Sequence, residues 1–399
     1  MRLRYILGHC QLDSNGSVNA GIVEWRSELP HQLSAIGAQE RMLTSTFLRC
    51  ARQLPASPLP RLTTPTLSLP QHRLKSSSSS NGEKEKKPKI ALLGSGTIGL
   101  SFAALHLTAN PTCTVTIHDT RPDLYDYISS HLPSYILPGS ACSATYKDRL
   151  TLAPTLAKAV EYADIVQEQG PENVKFKRTL WAEVEKHARS DALLWSSTSG
   201  IPASEQAAGM KDKKRLMVVH PYNPPHIMPL LEIVPSKETS QKNINRTVHY
   251  WRSLGRTPVV IKKECTGFVA NRLAFALFRE ACSLVEQDVV SVKELDDIVT
   301  SSMGPRWSVA GPFKSYQAGG GEQGLEGFLS KIGGTVQGCW DASERDVKKG
   351  GISVGEGKEW QEKVCKQAQE EYGNVDTSER DARTRKVLQA AAAEKGEGK

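Results

Sequence analysis

Beyond residue 85 the chain alternates short apolar runs with longer amphipathic stretches. The runs Ile90 to Leu93, Cys113 to His118, Asp164 to Gln167, Leu193 to Ser196, Leu216 to Val219, Leu230 to Val234 and Pro258 to Ile261 are short and bounded, the pattern of strands buried within a sheet. Between them, Lys175 to His187 places Phe176, Leu180, Trp181 and Val184 at the spacing of one helix face. Strands alternating with helices predict an open, mostly parallel α/β sheet. After Glu264 the rhythm changes. Phe268 to Gln287 reads as a long, mostly apolar helix, and Ser291 with Glu294 forms a capping box that opens another. Leu325, Phe328, Leu329 and Ile332 supply a further helix face inside a glycine-rich stretch. The predicted organisation is an extension over 1–85, an α/β domain over 86–263, an all-helical domain over 264–375, and a charged, alanine-rich helix or tail over 376–399.

In the first 85 residues proline and serine break every apolar stretch, and Ser76 to Ser80 are homopolymeric, so no packed core is expected there. From Met42 the basic residues Arg49, Arg52, Arg61, Arg73 and Lys75 precede the first acid, Glu83, a composition that resembles a mitochondrial presequence. Because Asp13, Glu24, Glu28 and Glu40 lie upstream, translation is expected to begin at Met42. A disordered extension on a cytoplasmic protein is the other reading.

Charge changes this picture little. Half of the net charge of +8 falls in the first 85 residues, where ten Arg/Lys face six Asp/Glu. The rest is an ordinary surface excess, and without zinc-finger spacing, an RNA-binding aromatic signature or a base-reading helix no nucleic-acid partner is expected. The eight cysteines include no CxxC pair, which points to reduced thiols and no metal site. No apolar run approaches the roughly 18 residues that cross a bilayer, so no membrane partner is expected either.

The first apolar run leads directly into Gly94, Gly96 and Gly99, a GxGxxG followed by an apolar helix pattern. In that context the first glycine permits a tight turn, the second lets backbone approach a pyrophosphate, and the third allows close packing of helix on strand. Asp119 follows Gly99 by 20 residues at the end of the next strand, where a carboxylate accepts from ribose hydroxyls and repels the extra phosphate of NADP. The predicted fold is therefore a Rossmann-type doubly wound sheet that binds NAD, although Arg121 could meet a 2′-phosphate. A glycine-rich turn without ligand is the bland alternative.

His220 ends a strand-like run and opens the proline-punctuated loop PYNPPHIMP before Glu232. Abstraction of a hydroxyl proton during hydride transfer suits an imidazole, whose ordinary pKa lies near neutrality, and a carboxylate on the other ring nitrogen would orient it. Taken alone, His220 is equally compatible with a structural histidine.

Four motifs in order, GSGTIG, SSTSG, HPYNPP with LLEIVP, and GFVANRL, resemble the 3-hydroxyacyl-CoA dehydrogenase family from about Lys89 to Asp341. The resemblance implies a substrate-contacting serine at Ser199, a catalytic base at His220, its orienting acid at Glu232 and a fourth site residue at Asn271. It also implies cofactor contacts at Thr97, Ile98, Asp119, Glu172 and Lys177, although on a bare reading the last two are solvated charges at a helix start. The helical domain and the loop around His220 look nearest to the λ-crystallin branch, whose activity is L-gulonate 3-dehydrogenase. Pro305 departs from that branch and puts the local pocket wall in doubt. Pro133, Pro138 and Gly139 disfavour the long helical excursion that helps hold CoA in acyl-CoA members. The implied activity is NAD-dependent oxidation of a small L-3-hydroxy acid, with an L-3-hydroxyacyl-CoA dehydrogenase of β-oxidation and a non-catalytic, crystallin-like NAD-binding protein as alternatives. The apolar helix from Phe268 suggests a homodimer interface or an internal core helix.

Overall fold

The computed structural model describes residues 87–136 and 145–396. The extension over 1–85, its presequence-like segment from Met42, and Pro138 and Gly139 lie outside the described residues. In chain order the α/β part contains β1 (Lys89–Leu93), α1 (Thr97–Ala109), β2 (Thr114–His118), α2 (Leu124–Tyr135), β3 (Leu150–Leu152), α3 (Leu156–Val160), β4 (Ile165–Glu168), α4 (Val174–His187), β5 (Leu193–Ser196), α5 (Ala203–Gln206), β6 (Leu216–Pro221), β7 (Leu230–Pro235), α6 (Gln241–Ser253) and β8 (Thr257–Val260). The helical part follows as α7 (Ala270–Glu286), α8 (Val292–Ser301), α9 (Met303–Val309), α10 (Pro312–Gly319), α11 (Gly324–Lys349), α12 (Glu359–Tyr372) and α13 (Thr377–Gly396).

The strands form one sheet in the order β3-β2-β1-β4-β5-β6-β7-β8. Every neighbouring pair is parallel except β6 with β7. The chain moves outward from β1 in both directions, so the crevice between the carboxyl ends of β1 and β4 is the topological switch point where such sheets bind ligands. The central strands are buried along their length: β4 and β5 lack an exposed position and β6 is closed throughout. This explains why they read as continuous apolar runs.

On one face α1 and α6 pack around an aromatic cluster. The Trp251 ring lies 5.2 Å from those of Trp195 and His106 and 5.8 Å from Phe102. The other face carries Trp181 and Val184 of α4 against Leu194 and Leu216.

Three local features differ from the sequence pattern. β3 is a three-residue edge strand paired only with β2, too short to show a period. Pro133 lies within the last turn of α2, so the helix ends at Tyr135. Pro305 is the third residue of α9, in a first turn whose N–H groups have no intrahelical acceptor, so it breaks no ladder. Trp307 and Ser308 just beyond it line a cavity with Met228, Val387 and Leu388, not the cleft at His220. The charged segment after residue 376 is helix α13, and the alanine-rich composition explains its helicity. Among the described residues no helix is long and apolar enough to cross a membrane.

Trp251 is fully buried, and its indole N–H has no hydrogen-bond partner. Trp251→Ala is expected to destabilise the protein by about 3–5 kcal/mol in urea unfolding. Trp251→Phe should cost distinctly less, because it keeps most of the ring and removes the unpartnered donor; equal losses would contradict this packing account.

Candidate active site

The turn between β1 and α1 shows why its glycines are required. Gly94 has φ +107°, a conformation L side chains rarely adopt, and a Cβ on Gly99 would overlap the Gly94 carbonyl oxygen. A Cβ on Gly96 would meet nothing, so the backbone at the start of α1 is open on the side where helix N–H groups favour an anion. Asp119, at the end of β2, braces this turn: its Oδ2 accepts from Ser95 N and Ser95 Oγ, both at 2.7 Å, and its Oδ1 from Arg121 N at 3.1 Å. Burial opposes its charge, but these hydrogen bonds prevail and hold it below the ordinary carboxylate value. Thr97 bonds to Tyr135 at the end of α2, and Ile98 faces the adjoining cleft. An open backbone face, a dipole-bearing helix start and an anionic brace together fit a dinucleotide with free ribose hydroxyls.

The reversal between β6 and β7 builds the second half of the site. In this antiparallel pair His220 and Glu232 are direct register partners, so their side chains project from the same face. Nδ1 of His220 lies 2.8 Å from Oε2 of Glu232, and both residues are buried. The other carboxylate oxygen accepts from Val269 N at 2.8 Å and Ala270 N at 3.0 Å, at the start of α7. Burial works against the charged form of Glu232, yet the bonds from His220, Ala270 and Val269 outweigh it and lower its pKa. An ionised carboxylate only accepts, so Nδ1 of His220 carries a hydrogen, and in the neutral ring the lone pair is on Nε2. The ring lies 5.3 Å from that of Phe268. Phe268 holds φ +52° after Gly267 at +72°, a strained turn that places an aromatic wall beside the histidine.

A third element comes from the turn after β5. Glu172 accepts from Thr198 Oγ1 at 2.5 Å, Ser199 N at 2.6 Å and Ser199 Oγ at 3.1 Å. Asn271 of α7 donates to the Ser199 carbonyl at 3.3 Å. Ser199, His220 and Asn271 thus converge on one cleft of about 470 Å³, together with Glu172, Ser197 and Tyr222. Lys177 is elsewhere: it is fully buried, its ammonium 2.7 Å from Glu168, whose carboxylate also receives Ser196 Oγ at 2.7 Å and Gly170 N at 2.6 Å. Its charge therefore supports the loop after β4 from below and offers no exposed contact. Ser197, Tyr222 and Phe275 face the cleft without having been singled out in the sequence; Ser197 sits inside the SSTSG motif, but no spacing marks Phe275. Among the described residues no cluster of His, Cys, Asp or Glu could hold a metal ion.

The NAD binding domain of 3-hydroxyacyl-CoA dehydrogenase matches residues 89–265, and the C-terminal domain of the same enzymes matches 267–363. The chain belongs to the 3-hydroxyacyl-CoA dehydrogenase family. This dehydrogenase is 36% identical over 259 residues to a 3-hydroxyacyl-CoA dehydrogenase of Gibberella moniliformis, covering 63% of this chain and 79% of the relative. It is 35% identical over 260 residues to an L-carnitine dehydrogenase of Oceanobacillus iheyensis, covering 64% and 84%. A solved structure of 5-formyl-3-hydroxy-2-methylpyridine 4-carboxylic acid 5-dehydrogenase, described as an NAD⁺-dependent dismutase, superposes with a TM-score of 0.60 at 26% identity, over 78% of this chain and 99% of that one. The dehydrogenase is accordingly an NAD-dependent oxidoreductase acting on CH–OH groups.

The depressed pKa of Glu232 has a definite sign. Its stabilising effect is complete above the ordinary value of 4.5 and is lost as pH falls through the lower folded value. Glu232→Gln should cost about 1.5–3 kcal/mol at neutral pH, as expected for hydrogen bonds to a charged group. Measured by urea unfolding from pH 7 downward, the gap between wild type and variant should narrow on acidification. A gap independent of pH would mean that Glu232 is not ionised in the fold.

Proposed function

We propose that this dehydrogenase oxidises the 3-hydroxyl of a small L-3-hydroxy acid to the 3-oxo acid, with His220 as the base. The observation that carries the reading is the His220–Glu232 pair opening on a cleft shared with Ser199 and Asn271. His220 Nε2, with its lone pair, takes the hydroxyl proton, and Glu232 stabilises the imidazolium that results. Ser199 and Asn271 hold the substrate oxygen while the alcohol carbon becomes trigonal. When bound along the glycine turn beside Asp119, NAD supplies the hydride acceptor. Glu172 acts by holding the Thr198–Ser199 turn in place, and Lys177 by holding Glu168.

Relatives that act on L-carnitine and on 3-hydroxyacyl-CoA, by their names, support these two substrate classes rather than L-gulonate. Carnitine is itself a 3-hydroxy acid bearing a quaternary ammonium. Tyr222 and Phe275 line the same cleft as His220, and aromatic faces attract such a cation. A thioester substrate is the second reading, supported by the fungal relative.

The reading extends to assembly. α7 exposes Leu273, Phe275 and Phe278, while Phe313 and Trp340 are exposed on α10 and α11. Large apolar side chains left in water at this density mark an interaction surface, and a second copy of this chain is the occupant proposed.

NADH formation by the full chain should be seen with L-carnitine, and should fall at least about a thousandfold in His220→Gln, which lacks the base and its pairing with Glu232. Turnover only with L-3-hydroxybutyryl-CoA would select the thioester reading, and turnover only with L-gulonate the sugar-acid one. An equally active His220→Gln would refute the mechanism. In sedimentation velocity the protein should run as a dimer and Phe278→Asp as a monomer; a monomeric wild type would remove the proposed interface.

A further inference from the structure

A chain of polar side chains runs from the partly buried Tyr250 through the core to the cleft. His106 of α1, Gln167 of β4 and Tyr250 of α6 connect as follows: His106 Nδ1 lies 2.8 Å from Tyr250 Oη, His106 Nε2 lies 3.0 Å from Gln167 Oε1, and Gln167 Nε2 donates to Ser197 Oγ at 3.2 Å. His106 and Gln167 are completely buried. An isolated polar pair there would be costly, and a closed chain satisfies each member.

The orientation of the Gln167 amide decides which way the protons point: its Oε1 faces His106 Nε2 and its Nε2 faces Ser197 Oγ. Burial raises the Tyr250 phenol well above its ordinary value, so it keeps its hydrogen. An amide oxygen only accepts, so His106 Nε2 directs a hydrogen to Gln167 Oε1, and in the neutral ring Nδ1 accepts the phenol hydrogen of Tyr250. Burial brings His106 down to about 4 despite its bond to Gln167, with Arg256 adding in the same direction. The single proton on this neutral ring then sits on Nε2 and goes to Gln167 Oε1. The Gln167 amide must present N–H to Ser197, whose oxygen accepts it. Among the described residues no protein acceptor faces the hydroxyl hydrogen of Ser197, and Ser197 lines the cleft with His220 and Ser199.

We infer that Ser197 is a fixed hydrogen-bond donor to an oxygen of the bound hydroxy-acid substrate, and that Gln167, oriented by His106 and Tyr250, is the positioning residue that aims it. The inference rests on the dehydrogenase reading of the cleft. A free serine hydroxyl samples three rotamers and offers donor or acceptor alike. One whose oxygen is engaged by Gln167 offers a donor, which selects substrates with an anionic or carbonyl oxygen at that point.

Two measurements test it. In the full chain labelled with ¹⁵N-histidine, His106 should give the shifts of a neutral ring protonated on Nε2 between about pH 5.5 and 8. His106→Gln identifies its signals. A ring protonated on Nδ1, or an imidazolium, would reverse the chain and overturn the inference, whatever the substrate proves to be. In steady-state kinetics Ser197→Ala and Gln167→Glu should each lower kcat/KM about tenfold, the scale of one neutral hydrogen bond. The glutamate accepts from Ser197 and turns its hydrogen away from the cleft, so the double variant should be no worse than Ser197→Ala. Losses that multiply, or an unaffected Ser197→Ala, would overturn the positioning role. Failure of the wild type to turn over any hydroxy acid would instead sink the dehydrogenase reading, and the histidine spectra would still decide the proton direction.

Discussion

The carboxylate of Glu232 joins the parts of this molecule that matter for its chemistry. One oxygen takes the proton-bearing nitrogen of His220, and the other takes two backbone amides at the start of α7. A charge at this depth is tolerable only because every direction of approach carries a donor. The same three bonds orient the imidazole, fix its tautomer and anchor the first turn of the helical domain to the sheet. The arrangement depends on a single topological event. β7 runs against β6, which makes residues twelve apart in the chain direct neighbours on one face.

The remaining site is assembled on that anchor. Once α7 is tied to Glu232, Asn271 is carried over the turn after β5 and bonds to the Ser199 carbonyl. Glu172 holds the same turn from the other side. A pair of carboxylates thus organises the cleft, each held below its ordinary pKa by donors from the protein. Beneath them lies a second layer of polar groups, with the buried Lys177, Glu168 and Ser196 on one side and the buried His106 and Gln167 with the partly buried Tyr250 on the other. Loops at the carboxyl ends of strands are ordinarily the mobile part of such sheets; here they rest on satisfied polar networks, which is how first-contact residues are kept in register.

Much of the frame was legible. The apolar runs placed seven of the eight strands, because central parallel strands are covered on both faces and leave little room for polar residues. β3 escaped because three residues at a sheet edge carry no period. Ser291 and Glu294 announced the capping box at α8, where both reciprocal bonds form. His220, Glu232, Ser199 and Asn271 came from motif resemblance, and the structure brings Ser199, His220 and Asn271 to one cleft with Glu232 behind His220. Lys177 reads in sequence as a solvated charge at a helix start, and nothing local reveals that Glu168, nine residues earlier, draws it into the interior.

What the sequence determined by itself is whatever depends on neighbours in the chain: the periodicity of strands and helices, the glycines that a tight turn before α1 demands, and the acid placed at the end of β2. Tertiary structure alone decided which distant groups meet, and therefore which charges are ionised and where protons reside. Glu232 is held below its ordinary value because α7 delivers two amides from 37 and 38 residues away. His106 stays neutral because the core closes around it. Such states depend on desolvation and on hydrogen-bond partners far along the chain, and these exist only after the sheet and its helices have packed.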